Sequence, residues 1–247
     1  MPVVFITGAA RGVGRAIAIR FARDGYAVSA AGRSLDSLAP VQRDVESHGV
    51  ACLAVRCDVV ENDAVVRAVA DTERTLGPID VLVNNAGISE SAPFVTMDDE
   101  LWDRTLAVNL TGTYHCMRAV IPGMLARRRG RVINIASTAA RVGFPNTAAY
   151  VASKHGVLGL TRAVALETHG KGVTVNAICP GWIDTDMTRR AIERIVQKTG
   201  RTPQEARSVI EQMNPSGRLI HPDEVAAVAA HLASADAGHI NGQDLDV

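Results

Sequence analysis

The stretch Val3 to Asp24, which reads VVFITGAARGVGRAIAIRFARD, decides the fold of this chain. Its first five residues form an apolar run rich in β-branched side chains, which predicts a buried parallel strand. A glycine-rich loop, Gly8 to Gly14, separates this strand from an amphipathic segment, Arg15 to Asp24, that predicts a helix. A strand, a glycine loop and a helix in this order are typical of a dinucleotide-binding unit. The alternative interpretation is a tight turn that binds nothing.

Three glycines of this loop have distinct expected roles. Gly8 permits a tight turn after the strand. Gly12 and Gly14 let the backbone approach a pyrophosphate and let the helix pack closely on the strand. The helix N-terminus would then face the phosphates, because its unpaired N–H groups favour negative charge.

Apolar runs and amphipathic segments alternate along the rest of the chain. Further strands are predicted at 26–31, 51–55, 79–83, 132–135, 173–178 and 240–247. Further helices are predicted at 35–48, 62–76, 98–129, 186–213 and 222–233, and around Tyr150 and Lys154. This alternation predicts an α/β fold: one domain, residues 1–247, built as a doubly wound parallel sheet of the Rossmann type, with about seven strands and helices on both faces.

A second group of residues, Ser137, Tyr150 and Lys154, indicates acid–base chemistry. Tyr150 and Lys154 are four residues apart in a helix-favouring segment, so their side chains share one helix face. Ser137 follows a predicted strand, and open α/β sheets bind ligands at the carboxyl ends of their strands. A nearby ammonium is expected to lower the tyrosine pKa from ~10, and the serine hydroxyl to hold a substrate oxygen. In the alternative interpretation Tyr150 is a packing residue and Lys154 a solvated charge.

The pattern T-G-x-x-x-G-x-G at 7–14 and the Tyr-x-x-x-Lys pair at 150–154 together resemble the short-chain dehydrogenase/reductase family. Two more stretches are similar to motifs of that family. They are N-N-A-G at 84–87 and N-x-x-x-P-G-x-x-x-T at 176–185. The resemblance covers essentially the whole chain. One departure is Asn241, which stands where the last strand of the family usually has threonine.

The resemblance implies a catalytic tetrad of Asn109, Ser137, Tyr150 and Lys154, in which Asn109 anchors a water that connects the lysine to solvent. It implies that Asp58 contacts an adenine, although Asp is also common as a plain turn residue. The implied cofactor-binding residues are Gly8, Ala10, Arg11, Gly12, Val13, Gly14, Arg33, Asp58, Val59, Asn85, Ala86, Gly87, Tyr150, Lys154, Pro180, Gly181, Ile183 and Thr185.

The end of the second predicted strand favours NADP(H) over NAD(H), although NAD(H) remains possible. An acidic residue there would hydrogen-bond the ribose 2′-hydroxyl of NAD, but the sequence has Gly32, Arg33 and Ser34. Arg33 can pair with a 2′-phosphate instead, and the resemblance directs Arg11 at the same group. The alternative is two solvated surface arginines.

The sequence around 170–172 and 185–188 is similar to the 3-oxoacyl thioester reductases of this family, which implies an acyl carrier protein or CoA thioester as substrate. Residues 186–213, a polar helical segment interrupted at Gly200 and Pro203, are expected to form a substrate lid. Three alternatives stay open: another alcohol or ketone, an NAD-dependent 3-hydroxyacyl-CoA dehydrogenase, or a non-catalytic NADP(H)-binding sensor.

A basic cluster, Arg127 to Arg129 with Arg131 and Lys171, lies at the end of the long predicted helix 98–129. Its simplest role is to complement the negative end of that helix. A second hypothesis is a dock for the phosphopantetheine group of a carrier or of CoA.

Charge balance and segment lengths exclude several classes of partner. Lys+Arg and Asp+Glu are 26 each, so no net charge attracts nucleic acid or an anionic membrane. No apolar run approaches the ~18 residues of a membrane span, and the N-terminus does not resemble a signal peptide. The four cysteines have no metal-ligand spacing, so no metal site is expected. We therefore expect a cytoplasmic protein, and the resemblance implies a homotetramer or homodimer.

Overall fold

Seven strands form one parallel sheet in the computed structural model, which describes residues 1–247. They are β1 (Val3–Thr7), β2 (Ala27–Gly32), β3 (Cys52–Arg56), β4 (Ile79–Asn84), β5 (Gly130–Ile135), β6 (Val173–Cys179) and β7 (Asp244–Asp246). Their order is β3-β2-β1-β4-β5-β6-β7, and every neighbouring pair is parallel. The predicted doubly wound sheet is confirmed. Its strand order reverses between β1 and β4, the place where such sheets bind ligands.

Nine α-helices connect the strands and cover both faces of the sheet. They are α1 (Gly12–Arg23), α2 (Leu35–Glu46), α3 (Asn62–Leu76), α4 (Asp99–Leu106), α5 (Gly112–Arg127), α6 (Ala148–Thr168), α7 (Asp186–Thr199), α8 (Pro203–Glu211) and α9 (Pro222–Ala233). Helices α1, α2 and α9 share one apolar core, and α3, α5 and α6 share the other. None of these helices combines the length and the apolar character needed to cross a membrane.

Strand β1 shows why its sequence is apolar throughout instead of alternating. Val4 and Ile6 point into the core under α1, and Val3 and Phe5 point into the core on the opposite face. All five residues of the strand are buried. A central parallel strand covered by helices on both sides requires this composition.

The helical region predicted at 98–129 is not one regular helix. Helices α4 and α5 are joined by a π-helical turn, Ala107–Thr111, and this turn contains the buried Asn109. A π-turn accommodates one extra residue in the helix and often occurs at functional sites.

The segment predicted as a lid forms two helices, α7 and α8. Gly200 ends α7 in a left-handed conformation with φ of 70°. Thr202 begins α8 with a capping box in which its side chain and that of Glu205 exchange hydrogen bonds with the backbone. The break predicted at Gly200 and Pro203 is thus confirmed, and movement of this segment as a lid stays a prediction.

Strand β7 is shorter than the predicted 240–247, because the Asn241 side chain replaces part of the backbone hydrogen bonding between this segment and β6. Asn241 Oδ1 accepts a hydrogen bond from the Val175 N–H at 2.8 Å, and Asn241 Nδ2 donates to the Ala165 carbonyl at 2.9 Å. The residue that departs from the family pattern therefore joins β6 to α6. Regular pairing with β6 begins only at Asp244.

Candidate active site

The motifs identified in the sequence meet at the carboxyl ends of four adjacent strands. Gly8 follows β1, Asn85 follows β4, Ser137 lies just after β5, and Pro180 follows β6. We call the space between these strand ends the catalytic cleft. Because the strands are neighbours in the sheet, residues far apart in sequence face one site.

Asn85 ties the glycine loop to the end of β4. Its Nδ2 donates hydrogen bonds to the carbonyls of Thr7 at 3.0 Å and Gly8 at 3.1 Å. The Thr7 hydroxyl in turn accepts from the N–H groups of Asn85 and Ala86, both at 3.0 Å. The N-N-A-G run therefore holds the loop in place. That Asn85, Ala86 and Gly87 also contact the cofactor stays a prediction.

The glycine loop has no room for side chains where it meets this run. A Cβ at Gly14 would overlap the Gly8 carbonyl oxygen and lie 2.5 Å from Asn85 Nδ2. Gly8 and Gly12 have φ of 65° and 55°, in the left-handed region that favours glycine. These two positions therefore need glycine for conformation, and Gly14 needs it for space.

The N-terminus of α1 suits a phosphate group. Its N-cap residue, Arg11, makes no side-chain cap, and the first turn contains no acidic residue. The N–H groups of that turn are therefore available to an anion. Arg11 and Arg33 are both exposed, neither has an ion-pair partner, and Arg33 directly follows β2. Together with the glycine loop, these residues fit a dinucleotide with an additional phosphate.

Tyr150 and Lys154 lie one turn apart near the start of α6, as predicted. Lys154 is 5% exposed, and its Nζ donates to the Ile135 carbonyl at 2.8 Å. The same Nζ lies 5.7 Å from the centre of the Tyr150 ring. A Cβ at Gly87 would lie 3.7 Å from Lys154 Nζ and 3.3 Å from Asn109 Oδ1, so these groups are neighbours.

The expectation that Lys154 lowers the pKa of Tyr150 was wrong for the protein alone. Burial raises the pKa of Tyr150 above 10.0, and hydrogen bonding by the Ser137 side chain opposes this shift without cancelling it. The Lys154 ammonium donates to the Ile135 carbonyl, and it does not offset this effect of burial. Burial also lowers the pKa of Lys154 to about 8. Both groups are therefore held closer to neutrality than in water.

Asn109 joins the loop after β4 to helix α6. Its Oδ1 accepts from the Ile88 N–H at 2.8 Å, and its Nδ2 donates to the Ile88 carbonyl and to Ser153 Oγ, both at 3.0 Å. Ser153 is adjacent to Lys154 in sequence and was not identified from the sequence. The structure thus gives Asn109 a positioning role, and the predicted water relay stays a prediction.

Ser137 begins a single 3₁₀ turn, Thr138–Ala140, and its Oγ accepts from the Ala139 N–H at 3.1 Å. Arg141 ends this turn and was also not identified from the sequence. It forms ion pairs with Asp244 and with Asp246 of β7. The loop that carries Ser137 is therefore tied to the edge strand of the sheet.

The loop after β6 is held by Asn214, a buried residue that was not identified as a functional residue from the sequence. Asn214 Oδ1 accepts from the Trp182 N–H, and Nδ2 donates to the Trp182 carbonyl, both at 2.8 Å. A Cβ at Gly181 would overlap Asn214 Oδ1. At the other end of this loop, the Thr185 side chain faces Gly12, where an added Cβ would lie 3.4 Å from Thr185 Cγ2. The loop after β6 thus reaches the glycine loop, as it must if Ile183 and Thr185 contact the same cofactor.

Asp58 and Val59 follow β3, at the same edge of the sheet. Asp58 Oδ1 accepts from the Val60 N–H at 3.2 Å, which is the turn role considered as its alternative. Val59 is buried, and a Cβ on Gly112 would lie 2.6 Å from its Cγ2. Contact of these two residues with an adenine stays a prediction.

The basic cluster lies at the opposite, amino-terminal edge of the sheet. Arg127 donates to the Ile79 carbonyl at 2.7 Å, and Arg129 pairs with Asp80 at 3.2 Å. These two interactions hold the end of α5 and the residues after it against the start of β4. Arg128 and Lys171 are exposed and form no ion pair, so a carrier dock at these two residues stays a prediction.

Comparisons with known proteins agree with this arrangement. A sequence model of the short chain dehydrogenase family matches residues 2–195. The chain is 40% identical over 244 residues to an acetoacetyl-CoA reductase of Shinella zoogloeoides, covering 98% of this chain and 95% of that protein. It is 37% identical to a 3-oxoacyl-(acyl-carrier-protein) reductase of Staphylococcus epidermidis, with the same coverage.

A solved structure, that of a point variant of the actinorhodin polyketide ketoreductase with NADPH, superposes with a TM-score of 0.96 at 37% identity. The match covers 100% of this chain and 95% of the ketoreductase. The sequence motifs, the sheet order and these matches lead to one conclusion: the chain belongs to the short chain dehydrogenase family.

Proposed function

We propose that this protein is an oxidoreductase that reduces the ketone of a 3-oxoacyl thioester to a 3-hydroxyacyl thioester with NADPH. The observation that carries the proposal is the position of Lys154. Its buried Nζ is adjacent to the Tyr150 ring, at the edge of the sheet that carries the glycine loop. A lysine that serves only as a solvated surface charge would not be buried beside this tyrosine.

The side chains of the cleft account for the proton chemistry. A nicotinamide held in the cleft would supply the hydride for the carbonyl carbon. Tyr150 donates its phenolic proton to the carbonyl oxygen, and Ser137 hydrogen-bonds that oxygen while its charge changes. The Lys154 ammonium stabilises the phenolate that remains. This last role requires Lys154 to be protonated, and its pKa of about 8 allows this at neutral pH.

The preference for NADPH is supported by charge at the end of β2. Arg33 and Arg11 are exposed cations without ion-pair partners, and no carboxylate occupies the position that would bind a ribose 2′-hydroxyl. Guanidinium groups suit phosphate oxygens because they present paired N–H donors. The similar actinorhodin ketoreductase was solved with NADPH.

A thioester substrate is supported by two of the relatives, whose names specify a CoA and an acyl-carrier-protein substrate. Simple ketones are the main competitors, since one fold serves many carbonyl compounds. The test of the proposal must therefore compare both classes of substrate.

The decisive experiment measures initial rates of NADPH and NADH oxidation with acetoacetyl-CoA and with a panel of simple ketones. We expect rapid NADPH oxidation with the thioester, little with the ketones, and at least tenfold lower kcat/KM with NADH. Tyr150→Phe is the matched variant, and it should lose turnover while still binding NADPH. Activity with ketones alone would overturn the substrate, and full activity of Tyr150→Phe would overturn the general acid.

We also propose that the protein works in the cytoplasm as a homotetramer or homodimer joined through α5 and α6. Tyr114, on α5, is a large side chain that is 43% exposed, which suits burial against a second copy. Light scattering after size-exclusion chromatography measures the mass of the assembly. A monomer at micromolar concentration would contradict this part of the proposal.

A further inference from the structure

Ser153 carries a buried hydroxyl beside the catalytic cleft, and the proton chemistry of the cleft does not use it. It lies on α6 between Tyr150 and Lys154 and is 0% exposed. Because it follows Tyr150 by three positions, the two residues share one face of the helix. A buried hydroxyl is costly unless it is hydrogen-bonded, so the partners of Ser153 indicate its role.

The two hydrogen bonds of the Ser153 hydroxyl run in one direction. Its Oγ accepts from Asn109 Nδ2 at 3.0 Å and donates to the Tyr150 carbonyl at 2.7 Å. The direction is fixed at Asn109, because Oδ1 of that residue accepts from the Ile88 N–H and Nδ2 donates to the Ile88 carbonyl. One hydroxyl therefore links the loop after β4 and Asn109 to the backbone of Tyr150.

The Tyr150 carbonyl lies in the first turn of α6, between the two groups that matter for proton transfer. In an α-helix this carbonyl also accepts from the N–H four residues later, which is that of Lys154. A change in the position of this carbonyl would therefore move the backbone of both residues. The phenol and the ammonium would then lose their alignment with Ser137 and with the Ile135 carbonyl.

Apolar packing alone does not fix the position of α6 along the π-helical turn. The two segments are in close contact, since a Cβ at Gly156 would lie 2.7 Å from Leu110 Cδ2. Such contacts set the distance between segments, but they are not directional. Hydrogen bonds are directional, so the Asn109–Ser153 bond specifies how α6 lies against this turn.

We infer that Ser153 is a positioning residue for carbonyl reduction, and that it aligns Tyr150 and Lys154 through the Tyr150 carbonyl. The inference rests on the proposed function of those two side chains. Ser153 touches neither the phenol nor the ammonium, so its loss should impair their alignment and leave the binding surfaces of the cleft intact. Misalignment of reacting groups lowers the rate of the chemical step.

Ser153→Ala tests the inference, and it should fold because alanine favours helices. We expect kcat to fall about tenfold, while KM for NADPH and for the carbonyl substrate stays within twofold. Ser153→Cys should have an intermediate kcat, because a thiol has nearly the same shape but hydrogen-bonds weakly.

Thr168→Val is the matched control. Thr168 is 1% exposed, and its hydroxyl donates to the Ala165 carbonyl at 3.3 Å in the same helix. It lies about four helical turns beyond Ser153. Its replacement should leave kcat within twofold of that of the unaltered protein.

The unaltered protein is assayed first, which tests the proposed function separately, and the variants are compared on the carbonyl compound that it reduces fastest. Hydrogen–deuterium exchange gives a readout that needs no substrate. Amides of residues 150–157 should exchange at least tenfold faster in Ser153→Ala, and those of residues 165–168 at an unchanged rate. The inference is wrong if kcat of Ser153→Ala stays within twofold, if KM rises as much as kcat falls, or if exchange at 150–157 is unchanged.

Discussion

Arg141 and Asp244 are 103 residues apart in sequence, and they are joined by two hydrogen bonds. Arg141 Nε donates to Asp244 Oδ2 at 2.7 Å, and Nη2 donates to the Asp244 carbonyl at 2.6 Å. Arg162 donates to the other carboxylate oxygen of Asp244 at 3.0 Å. These bonds fix the turn that begins at Ser137, so the edge strand contributes to the geometry of the cleft.

Arg141→Ala is expected to lower kcat about tenfold with little change in KM, because Ser137 would lose its fixed position. The free energy of unfolding should fall by about 1–2 kcal/mol, since charge-assisted hydrogen bonds to a largely buried carboxylate are lost. Arg141→Lys should recover only part of kcat, because an ammonium cannot reproduce the paired donors. Arg20→Ala, which breaks an exposed pair with Asp24, is the control and should change neither quantity. A kcat for Arg141→Ala within twofold of the original would refute this role.

Lys154→Met should abolish turnover and yet stabilise the protein at pH 7. Burial lowers the pKa of Lys154 from 10.5 to about 8, so the unfolded chain binds this proton more tightly than the folded one. Stability of the unaltered protein therefore rises with pH between about 8 and 10.5, and below 8 the full penalty of about 3 kcal/mol applies. Loss of the hydrogen bond to Ile135 offsets about 1 kcal/mol of the gain.

Urea denaturation at pH 7 and at pH 10 measures this difference. The advantage of the methionine variant should be about 2 kcal/mol at pH 7 and should shrink at pH 10. A variant that is less stable at both pH values would show that Lys154 is a net stabilising residue.

Gly14→Ala and Gly159→Ala should change stability in opposite directions. Both glycines lie inside helices, but a Cβ at Gly14 would overlap the Gly8 carbonyl, whereas nothing lies within 4 Å of a Cβ at Gly159. We expect the first change to destabilise by about 1–3 kcal/mol and the second to stabilise by about 0.5–1 kcal/mol. Equilibrium unfolding measures both. Two changes of the same sign would argue against the close packing of the glycine loop.

Asn214→Ala is expected to lower the free energy of unfolding by roughly 3 kcal/mol and to raise KM for NADPH. The variant leaves the Trp182 N–H without a partner, and it removes one hydrogen bond each from the Trp182 and Arg218 carbonyls. Asn214→Asp keeps an acceptor for the Trp182 N–H and should lose less stability. If KM for NADPH stayed constant while stability fell, the hydrogen bonds of Asn214 would serve folding alone.

Arg33→Ala should raise KM for NADPH at least tenfold while leaving KM for NADH nearly unchanged, because only NADPH carries the additional phosphate. Arg67→Ala removes an exposed arginine of α3 that has no ion pair, and it controls for the change in net charge. Equal changes of both KM values would mean that Arg33 acts on the fold of the cleft and not on the phosphate.

Local signals predicted the fold well. Strand β1 and helices α3 and α9 begin and end at the predicted residues, because their apolar patterns and terminal residues are encoded within the segments themselves. Tyr150 and Lys154 share a helix face for the same reason, since four residues make about one turn. The glycine loop was predicted because its residues are contiguous in the sequence.

Long-range side-chain contacts account for what sequence reasoning missed. Three contacts join segments that meet only after the sheet has formed. They are the Arg141–Asp244 pair, the hydrogen bonds between Asn214 and Trp182, and the hydrogen bond between Asn109 and Ser153. The pKa of Tyr150 was misjudged because desolvation depends on the surrounding packing, and spacing along a helix contains no information about it.

The three residues of β7 also protect the sheet from unwanted growth. This strand pairs only with β6, so its outer backbone groups form an open edge, where another extended chain could add and begin a fibrillar aggregate. Asp244 and Asp246 put two carboxylates on that short edge, and Arg141 and Arg162 cross it to reach them. An incoming strand would have to displace these ion pairs to make only a few backbone hydrogen bonds. The network that steadies the Ser137 turn thus also opposes aggregation.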